Sequence, residues 1–324
     1  MTVPHLKTRK PTGRPAWPLV LLEGEEKAGK TFAALTLSAD ARVGQTFVVD
    51  IGEGSADGYA PLGAFDIVEH DHTFASIAAQ LAAVRAVPCD PDRPNVLVID
   101  TVSCLWQLLV EQAGQRARAS KAGQRRLAAD PDAEVPIPMN LWADAKRRWR
   151  SVIDPLMTYP GIVILIARGR AVAEVDASGT PTGASGWKVE AEKNLAYDAT
   201  VWVRMTRPRT AELVGARSLT LTMPAHRALP LPGFSLAGLL FDELGLDPAD
   251  TARRDYQPPS ADPVAANTAK HKLIEHLTGC GVTDPIDTAR ACWRDAGYDE
   301  RTELTPSEFT VLLTTATTAV EVSR

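Results

Sequence analysis

The spacing of a phosphate-binding loop, G-x-x-x-x-G-K-[ST], occurs in the segment Gly24-Glu25-Glu26-Lys27-Ala28-Gly29-Lys30-Thr31. In such a loop the glycines let backbone N–H groups turn inward around phosphate oxygens, and the following helix points its positive end at them. Lys30 would reach the β- and γ-phosphates, and Thr31 would supply a hydroxyl to Mg²⁺. An apolar run, Leu19–Glu23, enters the loop, and an amphipathic helix containing Phe32 leaves it. The segment therefore predicts a site for nucleotide phosphates and a magnesium ion.

A carboxylate that could order the metal ends a second apolar run. Asp100 closes Val96–Asp100, where a strand would present the Asp that organises the water shell of Mg²⁺. The next residue is Thr101, so a general base directly beside Asp100 is lacking.

The residue that activates water is therefore expected after the strand that follows the loop helix. This strand, Thr46–Asp50, runs into a glycine-rich stretch that contains Glu53. A Glu or Asp within hydrogen-bond reach of the attacking water serves as a general base. We predict Glu53 as the catalytic carboxylate beside Lys30, with Asp50 as its rival. The alternative is that both are ordinary carboxylates of a turn.

The elements that must position these residues alternate between apolar runs and amphipathic segments, which predicts βαβ units and an α/β fold. The middle runs are continuously apolar, as in parallel strands buried on both faces. The last two alternate and predict an exposed antiparallel pair. A helix is predicted over Asn140–Met157, with Asn140 as its cap. The predicted strands are Leu19–Glu23, Thr46–Asp50, Asp66–Glu69, Val96–Asp100, Ile162–Ala167, Thr200–Met205 and Leu219–Met223.

Four regions are predicted along the chain from shifts in composition. Residues 1–16 form a basic, proline-rich arm, and residues 17–245 form the core that carries the loop. Residues 246–267 are rich in Pro and Asp and predict a linker. Residues 268–324 predict a small helical domain.

Composition excludes several classes of protein. A net charge of -5, from 35 Lys and Arg against 40 Asp and Glu, excludes a coat of basic residues, so nucleic-acid binding would need local patches. The apolar runs are far shorter than the ~20 residues of a membrane span. The four cysteines lack paired spacing, which favours a reducing compartment. We expect a cytoplasmic protein that does not contact a membrane.

Taken in order, these motifs resemble those of the RecA-like recombinase ATPases, and in particular the small phage RecA-like single-strand annealing ATPases. The resemblance covers about residues 18–207. It implies a RecA-like P-loop core, with a mostly parallel sheet flanked by helices, and assembly into a ring or filament. It also implies ATP binding by the loop and Phe32, Mg²⁺ binding by Thr31 and Asp100, and catalysis by Glu53. The motifs that carry it are the loop, the stretch ending in Glu53, Val96–Val102 running into Trp106, the helix containing Trp142, Ile162–Ala167 followed by Arg168, and Asn194–Ala199.

The family's DNA-binding loops follow the strand that ends in Asp100 and the next core strand. On a helix, Arg118, Lys121 and Arg125 would share a face that suits a row of phosphates. The alternative is a solvated helix face. In the second region a base could stack on Trp187, the alternative being an ordinary packing tryptophan. The candidate DNA-binding residues are Arg116, Arg118, Lys121, Arg125, Arg126, Arg170, Trp187 and Lys188.

The sequence thus predicts a DNA-stimulated ATPase that binds single-stranded DNA and promotes annealing or strand pairing in phage-type homologous recombination. Such a protein would work in the host cytoplasm as a homo-oligomer, and a single-strand-binding protein is a further candidate partner. Three alternatives remain open at this point. They are a DNA helicase motor or helicase loader, an ATP-switched scaffold that acts on a protein partner, and a small-molecule kinase.

Overall fold

The structure is a computed structural model that describes residues 8–175, 180–208, 210–224, 227–256, 266–280, 282–298, 304 and 306–322. The chain divides into two compact units, Met1–Tyr256 and Gln257–Arg324. The strands are β1 (Leu19–Gly24), β2 (Thr46–Asp50), β3 (Asp66–Ile67), β4 (Val96–Asp100), β5 (Ile162–Val175), β6 (Pro181–Val189), β7 (Val201–Arg207), β8 (Thr210–Ala216) and β9 (Leu229–Leu231). The helices are α1 (Lys30–Thr36), α2 (Phe74–Ala86), α3 (Val102–Ala119), α4 (Lys121–Ala129), α5 (Met139–Leu156), α6 (Leu195–Asp198), α7 (Ala266–Gly279), α8 (Pro285–Asp295) and α9 (Pro306–Val322).

A mostly parallel sheet forms the centre of the first unit. Its strand order is β3-β2-β4-β5-β1-β7-β8-β9, and β6 pairs only with β5. The strands from β3 to β7 in this order run parallel, and β8 and β9 add an antiparallel edge. The predicted α/β class and the predominantly parallel sheet are confirmed.

Helices cover both faces of the sheet, which is why the central strands are continuously apolar. Alternate residues of β1 point to opposite cores: Leu19 and Leu21 pack with α2, α3 and α5, whereas Val20 and Leu22 pack with α1. Trp149 of α5 is fully buried in the first of these cores. The sheet is therefore held rigidly from both sides, and its strand ends are fixed relative to one another.

Three local predictions are wrong. Leu219–Met223 is not a strand; β8 is the antiparallel partner of β7 instead. Helix α5 begins at Met139 after Pro138, so Asn140 is not its cap. The basic segment is not one helix, because Ser120 ends α3 and caps α4, its Oγ accepting from the Gly123 N–H. Arg118 and Lys121 therefore lie on different helices, and the predicted common face does not exist.

The segment before β1 is paired with a segment that follows the sheet. The Trp17 N–H donates to the Ala252 carbonyl over 3.1 Å, and the Ala252 N–H donates to the Pro15 carbonyl over 2.9 Å. Arg9 forms an ion pair with Asp255 at 2.7 Å. Residues 9–17 and 252–255 thus run side by side.

The second unit is built from α7, α8 and α9 around a small core of its own that includes Leu273, Trp293 and Leu312. Asp284 caps α8 by accepting from the Asp287 N–H. Within the described ranges of the chain, no helix combines the length and the apolar character that a membrane crossing needs.

Candidate functional site

The candidate site lies where the carboxyl ends of the parallel strands meet, the usual ligand position in open α/β sheets. Strand β1 ends in Gly24, β4 ends in Asp100, and β5 passes between them, with Arg168 in register with Gly24. The sheet register therefore brings together residues that are far apart in the sequence.

The loop after β1 has the backbone conformation that its glycines permit. Gly24 (φ 151°) lies so close to β7 that a Cβ there would meet the Met205 carbonyl oxygen at 1.8 Å. Gly29 (φ 92°) precedes α1 and Lys27 has φ 55°, so the loop makes left-handed turns on the way to the helix. Ala28, which belongs to the loop, is buried against the hydrophobic core beneath it. These features keep the loop compact above the end of β1.

Lys30 reaches back across the loop. Its ammonium donates to the carbonyl oxygens of Gly24 at 2.9 Å and Glu25 at 2.6 Å. Burial lowers the pKa of Lys30, and the nearby carboxylates of Asp100 and Glu53 oppose that shift. The cation thus sits among the groups that a bound phosphate would contact.

Thr31 and Asp100 form the contact at which a metal would bind. The Thr31 hydroxyl donates to Asp100 Oδ2 over 2.6 Å. Asp100 is only 2% exposed, and its Oδ1 has no hydrogen-bond partner among the described residues. Burial raises the pKa of Asp100 to about 6, against the lowering effect of the Thr31 hydrogen bond. A buried, orphaned carboxylate oxygen beside a hydroxyl fits Mg²⁺, which needs few protein ligands when phosphates and waters supply the rest. Within the described residues there is no cluster of three or more His, Cys, Asp or Glu that could hold a metal by itself.

The two rival carboxylates have different surroundings. Asp50 accepts from the backbone N–H groups of Gly54, Ser55 and Ala56 at 2.8–3.1 Å, so its oxygens hold the turn after β2. Glu53 instead lines the same cavity as the phosphate-binding loop, and its Oε1 accepts from Arg168 Nη2 on β5 at 3.0 Å. Of the two, Glu53 is the carboxylate that lines the cleft.

These groups surround one open cleft of about 650 Å³, the nucleotide cleft. Its lining includes Gly24, Glu26, Lys27, Gly29, Lys30, Thr31, Glu53, Asp100, Arg168, Gly169, Arg170 and Glu190. The structure therefore brings the loop, the metal-binding pair and the candidate base onto one surface.

A smaller cavity of about 210 Å³ adjoins the cleft, and Gly29 lines both. Its walls are mainly apolar and include Phe32, Pro208 and Phe234. Phe32, on α1, is 42% exposed, so the face of its ring is open to a ligand in this cavity. We call this cavity the apolar pocket.

The candidate DNA-binding residues fall in two places. Arg116, Arg118, Lys121, Arg125 and Arg126 are exposed on α3 and α4, with Arg116 paired to Asp144. Arg170 and Lys188 are exposed on paired positions of the β5–β6 hairpin, where Arg170 contacts Glu190 at 2.7 Å. Trp187 is only half-buried, but its N–H donates to Glu23 and the Arg204 guanidinium lies 4.6 Å from its ring centroid. This environment favours the packing alternative for Trp187.

Sequence reasoning missed two residues of this region. Arg168 enters the sequence motifs only as the residue that follows Ile162–Ala167, and its contact with Glu53 spans 115 positions, which no local pattern reveals. Glu23 is the last residue of the predicted strand Leu19–Glu23, and the sequence signal for its role is a carboxylate that closes an apolar run.

Comparison with known proteins gives a family match and two structural likenesses. The family model AAA_24, described as an AAA domain, matches residues 18–224. The chain is 17% identical to a RadB recombinase over 63% of this chain and 84% of the other, with a TM-score of 0.35. It is 12% identical to an ATPase from the type III secretion system of pathogenic bacteria over 93% of this chain and 80% of the other, with a TM-score of 0.28. No curated protein matches the chain.

Proposed function

The chain belongs to the AAA domain family AAA_24 and is a P-loop ATPase, and on this premise we propose that it hydrolyses ATP in the nucleotide cleft to regulate its binding and annealing of single-stranded DNA. The observation that carries the proposal is the convergence of Lys30, the Thr31–Asp100 pair and Glu53 around a single cleft. Each is of the residue type that phosphoryl transfer to water requires.

In this proposal the chain binds ATP mainly through contacts with the phosphates of the nucleotide, and these contacts hold the phosphates in position. Backbone N–H groups of the loop and the Lys30 ammonium contact the phosphate oxygens, while Thr31 and Asp100 hold Mg²⁺. The metal, when bound, neutralises the charge that develops on the transferred phosphoryl group. Because Lys30 already donates to two loop carbonyls, it is oriented within the cleft.

Glu53 acts as the general base and accepts a proton from the attacking water at a carboxylate oxygen. Arg168 holds one of those oxygens and so orients the other toward the cleft. Arg168 also brings a cation into the cleft, and positive charge there stabilises the charge of the transition state.

The apolar pocket receives the nucleobase. It shares Gly29 with the cleft, so a nucleotide anchored by its phosphates extends into it. A base between Phe32 and Phe234 would gain aromatic contact, worth about 0.5–1.5 kcal/mol beyond the burial of area.

Single-stranded DNA binds through Arg170 and Lys188 of the hairpin and through the cations of α3 and α4. These side chains are exposed, and their guanidinium and ammonium groups suit phosphates. Copies of the chain assemble along the strand, and together they would cover and pair long single strands.

The test is ATP hydrolysis by the purified chain without DNA, with single-stranded DNA and with duplex DNA. Lys30→Ala serves as the blank, and Lys10→Ala, in the segment before β1, serves as a matched surface control. Stimulation by single strands followed by annealing of complementary oligonucleotides is the expected result. Hydrolysis indifferent to DNA would reject the DNA part of the proposal, unwinding of a duplex would indicate a helicase, and unchanged ATP affinity in Lys30→Ala would reject the whole.

A further inference from the structure

Glu23 is a buried charged residue that the proposed reaction does not use. It is 0% exposed at the end of β1, directly before the loop. It continues the row of Leu19 and Leu21, which face the core beneath α3 and α5. A carboxylate in such a row is costly to bury unless its oxygens are satisfied.

Donors from two different elements satisfy the carboxylate. Oε1 accepts from Arg204 Nε at 2.8 Å and from Trp202 Nε1 at 3.1 Å, both on β7. Oε2 accepts from Trp187 Nε1 at 2.7 Å, on the β5–β6 hairpin. The Arg204 guanidinium also stacks over the Trp187 ring. Hydrophobic residues of similar volume often stabilise a core as well as a buried ion pair does, so stability alone gives little reason for this network.

On one side the network fixes the base of the hairpin. Gly169 of β5 packs so closely that a Cβ there would lie 2.2 Å from Glu23 Oε2 and 2.9 Å from Trp187 Nε1. The neighbours of Gly169, Arg168 and Arg170, both line the nucleotide cleft. The hairpin is thus attached to the core at the wall of the cleft.

On the other side the network adjoins the phosphate loop. The carbonyl groups of the next two residues, Gly24 and Glu25, are the acceptors of the Lys30 ammonium. A phosphate that attracts this ammonium competes with those two carbonyls. Any resulting change in the loop backbone begins one peptide bond from Glu23.

We propose that Glu23 is a positioning residue that links nucleotide binding at the loop to the conformation of the β5–β6 hairpin, through its hydrogen bond with Trp187. The inference rests on the proposed function, because it takes the loop as the nucleotide site. Linkage is reciprocal, so a ligand on the hairpin changes nucleotide affinity by the same factor. The hairpin surface that carries Arg170 and Lys188 thereby becomes a regulated surface.

Hydrogen–deuterium exchange of the full chain, with and without Mg²⁺ and a slowly hydrolysed ATP analogue, tests the link. Peptides over the loop report nucleotide binding, and peptides over β5 and β6 report the hairpin. Trp187→Phe keeps an aromatic ring, although a smaller one, and deletes the indole N–H that reaches Glu23. Trp202→Phe is the matched control, since it deletes an indole N–H to the same carboxylate from β7. Thermal unfolding checks that both variants are folded.

In the wild-type chain we expect nucleotide to slow exchange in the hairpin by about fivefold or more, the lower end of typical coupling between sites. Trp187→Phe should reduce this effect to within about twofold, while protection of the loop persists and Trp202→Phe behaves as wild type. Two outcomes overturn this inference but not the proposed function. One is an unchanged hairpin response in Trp187→Phe, and the other is a wild-type hairpin whose exchange does not respond to nucleotide while the loop is protected. Absence of loop protection in the wild type overturns the proposed function and this inference with it.

Discussion

Replacing Asp50 by Asn should lower the stability of the folded chain and leave ATP turnover almost intact. Glu53→Gln should instead leave stability almost unchanged and slow ATP turnover. The reason lies in what each carboxylate touches. Asp50 binds three backbone N–H groups of the turn after β2. Glu53 contacts the exposed Arg168 and lines the cleft. The two substitutions change the same chemical group, so each is the control for the other.

The magnitude for Asp50→Asn follows from its three hydrogen bonds. An asparagine has a single acceptor oxygen, so at least one N–H faces an NH₂ group, at a cost of about 1–3 kcal/mol. The remaining bonds lose the charge of their acceptor and become roughly half as strong. Allowing for partial exposure, we expect a loss of about 2–4 kcal/mol, which lowers Tm by roughly 5–15 °C in a unit of this size.

For Glu53→Gln we expect a large effect on ATP turnover and almost none on stability. An exposed pair such as Glu53 with Arg168 contributes about 0–1 kcal/mol to stability, so Tm should hardly move. Loss of a general base should slow turnover by about 10²–10⁴-fold with ATP affinity retained. Urea denaturation and steady-state hydrolysis, measured below the Tm of the weaker variant, give all four quantities. A folded Asp50→Asn protein without turnover, beside an active Glu53→Gln protein, would reverse the assignment of the base.

Three further predictions concern the loop and the core. Thr31→Val removes the hydroxyl that meets Asp100, so we expect about tenfold or more Mg²⁺ to be needed for half-maximal hydrolysis, measured by metal titration. An unchanged titration would contradict the role of this pair. Gly24→Ala places a Cβ 1.8 Å from the Met205 carbonyl oxygen, so nucleotide binding should be lost and thermal stability reduced by about 1–3 kcal/mol or more; calorimetry on the folded fraction tests it. Trp149→Ala should cost about 3–5 kcal/mol in urea denaturation, because the side chain is fully buried, and a loss below about 1 kcal/mol would show that the core refills the space.

The parallel strands were the most predictable part of the fold. The predicted bounds of Thr46–Asp50 and Val96–Asp100 agree with β2 and β4. Burial on both faces requires a continuous apolar run, and that requirement is local. Leu219–Met223 shows the limit, because alternation of Thr with apolar residues also occurs on a surface, and Leu219 is fully exposed. The true antiparallel partner of β7, which is β8, is recognisable only by that pairing.

The loop of the candidate site was readable from the sequence, because its chemistry depends on contiguous residues. The contacts among the other groups were not, since they depend on sheet register. Glu53 and Arg168 meet because β2, β4 and β5 lie side by side. The end of α3 at Ser120 was also not predicted. The Ser120 hydroxyl accepts from the Gly123 N–H and so starts a new helix, and the spacing of the charged residues does not indicate this.

The pairing of residues 15–17 with Ala252 places the chain that enters β1 beside the chain that leaves the first unit. With Arg9 and Asp255 in direct contact, a few glycine and serine residues would suffice to join residues 9 and 255 covalently. The sheet could then keep its strand order even if the strands followed one another along the chain in a permuted order. New ends could be opened in an exposed turn remote from the cleft, and a circularly permuted ATPase unit should fold and bind nucleotide with the same contacts.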